Sequence, residues 1–278
     1  LRLGLLDQPL PFADNVGYIF EKQLEEAGGL IINKIDRFPQ AHSQDGVMEK
    51  LPVVIVACQV FERMLENILP ADLAGQITFL DYGLHSVPKK LAVSVQAAID
   101  AIAAPSLVVL GYGLCGNGLN GIKAGRHTLL IPRTDDCIAL LLGSYQSYQA
   151  EFTGQPGTYW LSKGWLEAGT NPLAEYRKCV DQYDQETAAW VMDQQYQHYR
   201  RLALVAHNQA DLEAYRAQAQ EVADYCGRWN MTFDEVLGSD AYVRKLVAVA
   251  ADITQADDDF LLIPPGGELK QSQFVRGF

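Results

Sequence analysis

The sequence predicts an α/β protein, a mainly parallel sheet with helices on both faces in Rossmann-like layers. Two observations carry this. Short β-branched apolar runs alternate along the chain with segments of helical spacing, the pattern of parallel strands joined by crossover helices. Glycines, cysteines and other polar residues fall just past those runs, where the loops of a parallel sheet gather.

Taken in order, residues 16–27 place Ile19, Phe20, Leu24 and Ala27 on one side of a helix that Gly28-Gly29 ends. Leu30 to Ile32 reads as a buried strand delivering Asn33-Lys34-Ile35-Asp36 at its end, the form of a guanine-recognition loop. Residues 39–50 are polar and carry turn formers, so they read as a linker. The division is therefore an arm over 1–38, a linker over 39–50 and an α/β domain over 51–278. The chain opens on Leu1 without a Met, which suggests a start inside a longer reading frame.

In the third segment, Pro52 to Ala57 is a strand, and Phe61, Met64, Leu65 and Ile68 follow at helical spacing. Ile77 to Leu80 is a second strand, with a helix from Pro88 to Ala103; Ser106 to Leu110 and Thr128 to Ile131 are the next two. A helix is expected over 135–142, long polar helices over 173–199, and further helices over 210–228, 232–237 and 240–251. Leu202 to Ala206 and Phe260 to Ile263 complete the strands of the sheet.

Composition narrows the function. A chain of 278 residues, 49% hydrophobic and 20% charged, has material for a substantial core. The net charge of -12 argues against a nucleic-acid partner, which needs a clustered basic surface. No apolar run approaches the roughly 20 residues that cross a bilayer, and no signal-peptide pattern opens the chain, so no membrane association and a cytoplasmic location are expected. Five cysteines without close pairing fit reduced thiols.

Three of these cysteines lie past different strands: Cys58 directly after the first, Cys115 five residues past Leu110, and Cys137 after Arg133-Thr134-Asp135-Asp136. His85 lies five past Leu80. Three thiols and an imidazole are the donor types of a tetrahedral zinc site, and parallel strands bring all these ends to one edge. The sulfurs are therefore expected within coordination reach of one point. Each cysteine alone is more often a small core residue than a ligand. Cys179 and Cys226 lie in helical patterns and read as structural. Arg133 and Asp136 flank Cys137, one able to lower a thiol pKa and the other to orient a ligating imidazole; with His85 they are the candidate catalytic residues. Gly111, Gly113 and Gly116 allow close backbone approach to an anion or cofactor, although their spacing is only formally that of a dinucleotide fingerprint. The run Gly157 to Trp165 is expected to wall a pocket or to form aromatic core.

Two resemblances accompany this reading. Gln23-Leu24-Glu25-Glu26-Ala27 followed by Asn33-Lys34-Ile35-Asp36 resembles the CobW-type metal-chaperone GTPases over residues 3–38, but no Walker loop occurs in the chain, so no complete nucleotide site is expected. Ala57-Cys58, Leu84-His85, the Gly111 to Gly116 run, Pro132-Arg133 with Asp135-Asp136-Cys137, Gly143-Ser144, Gly164-Trp165 and Pro265-Gly266 together resemble the domain of unknown function 1638 family over residues 51–270. That resemblance implies a setting in corrinoid-linked one-carbon metabolism, beside corrinoid proteins and methyltransferases. In this setting a Cys-ligated zinc would serve a methyltransferase, and the alternative is a non-catalytic metal or iron-sulfur carrier.

Overall fold

The structure, a computed structural model, describes residues 51–71 and 76–276. The chain divides into two units, and Pro52–Val275 holds every element described below. The arm, its GTPase-like motif and the linker lie outside the described residues.

Strand β1 (Val53–Cys58) runs through a 3-10 turn (Gln59–Phe61) into α1 (Glu62–Ile68). Strand β2 (Ile77–Leu80) is followed by a 3-10 helix (Tyr82–Ser86) and α2 (Pro88–Asp100). Pro88 stands in the first turn of α2, where its missing N–H costs nothing, and Leu91, Val95 and Ile99 form the buried stripe. After β3 (Leu107–Gly111) and β4 (Thr128–Pro132) come α3 (Ile138–Leu142) and α4 (Tyr145–Gly154). All five residues of β3 are buried, as befits a central parallel strand covered on both faces.

The next stretch alternates β5 (Thr158–Leu161), α5 (Lys163–Glu167), α6 (Pro172–Gln182), α7 (Gln185–Tyr196), β6 (Arg201–Ala206), α8 (Gln209–Cys226) and β7 (Thr232–Leu237). The chain then forms α9 (Ala241–Ala251), β8 (Phe260–Ile263) and the short α10 (Gln271–Phe274). Asn171, Asp184 and Asn208 cap α6, α7 and α8, each accepting a backbone N–H of the first turn.

The fold is α/β and mostly parallel, but it has two sheets rather than one. The first has the order β2-β1-β3-β4-β8 and the second β5-β6-β7. In the first, β1, β2, β3 and β4 are mutually parallel and β8 runs antiparallel to β4. The second is parallel throughout. Residues 202–206, read from the sequence as part of the same sheet as β1, are the centre of this second sheet. A second correction concerns residues 232–237, read as a helix. Phe233, Val236 and Leu237 have the i, i+3, i+4 spacing of a helix, yet they form half-buried strand β7.

Because β1 has β2 on one side and β3 on the other, the order reverses between β1 and β3. That gap is the topological switch point, where open α/β sheets hold ligands.

Candidate functional site: a thiol-lined cavity at the switch point

Each site residue is set in place by the loop that follows its strand. Ala57 pairs with Gly111, which levels the carboxyl ends of β1 and β3. A Cβ at Gly111 would stand 2.6 Å from the Ala57 Cβ, so only glycine lets these strands meet there. The loop after β3 then lies along the loop after β4: Leu114 N–H donates to Thr134 O (2.9 Å) and Cys115 N–H to Asp135 O (2.8 Å). At Gly113 a Cβ would be 2.7 Å from the Asp136 backbone, and this tight crossing brings Cys115 beside Cys137. Cys115, Gly116 and Asn117 all have left-handed backbone, with φ of 50°, 60° and 68°. The two glycines assigned from the sequence to a cofactor at 111 and 113 thus approach protein atoms, and Gly116 serves the turn.

Cys58, Cys115, Cys137 and His85 line one cavity of about 20 Å³, together with Val60, Asp81, Tyr82, Leu91, Tyr112, Gly164 and Trp165. Such a volume holds one water-sized particle. Among the described residues no group of three or more His, Cys, Asp or Glu side chains is placed so that it could hold a metal ion, so the expected convergence of the three sulfurs on one point is not seen. A second cavity, between β1, β3 and α9, is walled by apolar side chains such as Ile55, Val109 and Leu246 and offers a polar ligand nothing.

All three thiols are free and buried. Burial pushes the Cys58 thiol up to about 12, with the Asp81 charge adding and the Val60 N–H, which faces the sulfur, opposing. Burial also raises Cys115, as do the charges of Asp136 and Cys58, against the N–H groups of Gly113 and Cys137. Cys137 is raised well above the ordinary thiol range by burial and by Cys115, Asp136 and Cys58. Peptide N–H groups aimed at sulfur are the donors that a thiolate needs once a cation compensates its charge.

His85 sits in the 3-10 helix after β2, its ring 4.3 Å from that of Trp165 at 40°. Its Nδ1 bonds the Tyr82 carbonyl, which fixes the tautomer and leaves Nε2 as the acceptor. Burial holds its pKa below the usual imidazole value, the Tyr82 carbonyl and Asp81 opposing. Asp136 accepts the Ile138 N–H (2.9 Å) and so braces the start of α3 beside Cys137. Arg133 is turned to the C-terminal segment, its Nε donating to Gln273 O (2.8 Å) and a terminal nitrogen to Val275 O (2.6 Å), and it does not line the cavity. Cys179 and Cys226 are buried within α6 and α8, away from the cavity lining.

Sequence reasoning missed Tyr112 and Asp81. Tyr112 is 3% exposed, and its hydroxyl has no hydrogen-bond partner among the described residues. Burial first, and then the charges of Cys58, Cys115 and Cys137, raise its pKa far above the phenol range, so it is a proton-bearing donor in electrostatic reach of all three sulfurs. The available signal was a tyrosine held between two glycines at a strand end.

Fold and site together define an α/β protein with a buried thiol cavity at a topological switch point. The sequence model of the family described as protein of unknown function (DUF1638) matches residues 79–246, and the chain belongs to that family. The match takes in His85, Cys115 and Cys137 and begins after Cys58. No curated protein and no solved structure matches the chain. Among the described residues no helix is long and apolar enough to cross a membrane.

Proposed function

We propose that the cavity is a thiolate metal site of a protein of corrinoid-linked one-carbon metabolism, with zinc held by Cys58, Cys115 and Cys137. The observation that carries the metal reading is that three thiols from three separate strand ends line one buried cavity. The chemistry of the three thiols supports a soft ion, with N–H groups of Val60, Gly113 and Cys137 toward the sulfurs of Cys58 and Cys115, although the side chains as placed form no metal-ligand group.

When bound, zinc would supply a Lewis acid that favours the thiolate form of a substrate thiol; transfer of a methyl group to that sulfur would break the methyl carbon's bond to its donor, which keeps that bond's electron pair. The chain's own residues then divide the work. Cys58, Cys115 and Cys137 would hold the ion, and His85 Nε2 would take the proton that the thiol gives up. Asp136 orients the turn that carries Cys137. The corrinoid setting and a methyltransferase or corrinoid-protein partner are supported by the family resemblance alone.

Elemental analysis of the full chain, purified anaerobically, tests this reading. The expected result is a colourless protein with about one zinc per chain, lost in a folded Cys115→Ser variant. A brown protein containing iron and sulfide favours an iron-sulfur carrier instead. Folded protein without metal overturns the metal reading altogether.

A further inference from the structure

We infer that the 3-10 helix Tyr82–Ser86 is a lid over the buried thiols, latched shut by Glu167 of α5, and that small molecules reach Cys58, Cys115 and Cys137 only when it opens. The lid does not depend on the metal reading, because it governs access to the sulfurs whatever they hold.

The need for a moving wall follows from size. The cavity of about 20 Å³ holds one water-sized particle and its three thiols are buried, so no larger molecule meets a sulfur until part of the wall shifts. The inner wall is locked. Gly111 is packed against the Ala57 Cβ and Gly113 against the Asp136 backbone, and Leu114 and Cys115 donate backbone hydrogen bonds to the loop after β4. The outer wall is built differently. Tyr82 and His85 come from the 3-10 helix and Trp165 from α5, and these three are only half-buried, whereas Cys58, Tyr112, Cys115 and Cys137 are buried.

Side chains alone hold that outer wall closed. Among the described residues no backbone hydrogen bond joins the 3-10 helix to α5. Instead the Tyr82 hydroxyl donates to one Glu167 oxygen (2.6 Å), the Tyr215 hydroxyl of α8 donates to the other, and the His85 ring lies 4.3 Å from that of Trp165. Burial opposes ionisation of Glu167, but the two hydroxyls and the Lys163 and Arg63 charges outweigh it, so the latch is a carboxylate accepting from both tyrosines. Both bonds are exposed to water. The lid itself has little else to hold it: none of its residues is buried, it hangs from β2, a four-residue edge strand, and 3-10 hydrogen bonds are poorer in geometry than α-helical ones. Exposed hydrogen bonds and few buried contacts mark the segments that open locally, without global unfolding. His85 Nδ1 bonds the Tyr82 carbonyl within the same turn, so the imidazole moves with the lid.

The test follows alkylation of the full-length chain by iodoacetamide, a small probe of accessible thiolates, after EDTA treatment so that no bound ion shields the sulfurs. Peptide mass spectrometry at low conversion reads the combined labelling of Cys58, Cys115 and Cys137 against that of Cys226, which is fully buried in the second core. Glu167→Ala and Tyr82→Phe should each speed labelling of the cavity thiols about tenfold and leave Cys226 unchanged. That is the lower end of what a hydrogen bond to a charged group contributes, because this one is exposed. Equal cavity labelling in wild type and both variants overturns the inference, as does a matching rise at Cys226, which means that the whole fold has loosened. A rise in only one variant overturns it too, since the latch needs both of its partners. None of these outcomes turns on whether zinc is found, so the lid and the metal reading stand or fall separately.

Discussion

Gly113 decides whether the site exists at all. Its missing Cβ leaves room for the Asp136 backbone, which lies where a methyl group would stand 2.7 Å away, and backbone cannot rotate aside as a side chain does. Gly113→Ala is therefore expected to destabilise the protein by about 1–3 kcal/mol, the range of overpacked sites, and to part Cys115 from Cys137. Urea unfolding checks the first effect, and an unchanged midpoint would mean that the crossing is looser than described. That Cys58, Cys115, Cys137 and His85 line one cavity was legible in the sequence because parallel strands bring their carboxyl ends to one edge. Tyr112 was not, since an aromatic residue beside buried strands reads as core. Its distinguishing property, a hydroxyl without a partner, exists only after the tertiary structure forms. The left-handed backbone of Cys115 was likewise hidden, because a cysteine does not announce a positive φ as a glycine or an asparagine does.

Among the elements, those with unambiguous spacing were readable and those whose spacing fits two periods were not. The buried stripe of α2 recurs every four residues and admits one interpretation, whereas Phe233, Val236 and Leu237 of β7 match a helix until β6 supplies hydrogen bonds along their whole length. Helices α6 and α7 were expected as long polar helices, and what joins them is a buried polar contact. Glu175, in the first turn of α6, accepts hydrogen bonds from the Tyr196 hydroxyl and from Gln195 Nε2 at the end of α7. Burial raises the Glu175 pKa despite the bonds from Tyr196 and Gln195 and the nearby Lys178 charge. A carboxyl that ionises less readily when folded contributes stability at pH values below its unfolded pKa, and that stability is lost as pH rises through the folded value. Glu175→Gln keeps an acceptor for Tyr196 and removes the buried charge. It should be at least as stable as wild type at pH 7, with wild type regaining ground as pH falls toward about 4.5. Chemical denaturation at two pH values measures this, and a markedly weaker variant at pH 7 would show that the charge itself holds α6 to α7.

At the scale of the whole molecule, the class of fold was written in the alternation of strands and helices, but the division into two sheets was not. Periodicity says that 202–206 is a strand without saying which strand it pairs with, and it is silent on the reversed direction of β8. The buried residues form two clusters, the first taking in Val205 of β6, and burial lowers the pKa of His127 in the first half and His207 in the second, as it does that of His85 at the cavity. His127 precedes β4 and is 3% exposed; burial lowers its pKa, with the Arg126 charge adding and Asp100 opposing. His207 follows β6, and burial lowers it too, outweighing the charges of Asp211 and Asp240, while Lys163 adds to the lowering. Its Nε2 lies 2.8 Å from the Asn208 amide nitrogen, a bond that an imidazolium, with both nitrogens donating, cannot accept. For both residues the folded pKa lies below the unfolded one, so the unfolded chain binds more protons on acidification. The stability they contribute is complete above about pH 6.5 and is lost as pH falls from there through the lowered folded values. The net charge of -12 acts in the opposite sense, because mild acid relieves self-repulsion in so acidic a chain. The histidine effect is local and buried, where salt does not screen it, whereas the repulsion among exposed carboxylates weakens at high ionic strength. Thermal unfolding between about pH 7.5 and 5.5 in high salt should therefore show stability falling with pH, and a His127→Gln/His207→Gln double variant should lessen that fall, leaving the part that His85 contributes. If the double variant follows the wild-type curve, the acid sensitivity lies in other groups, and the two imidazoles are no more costly to protonate folded than unfolded.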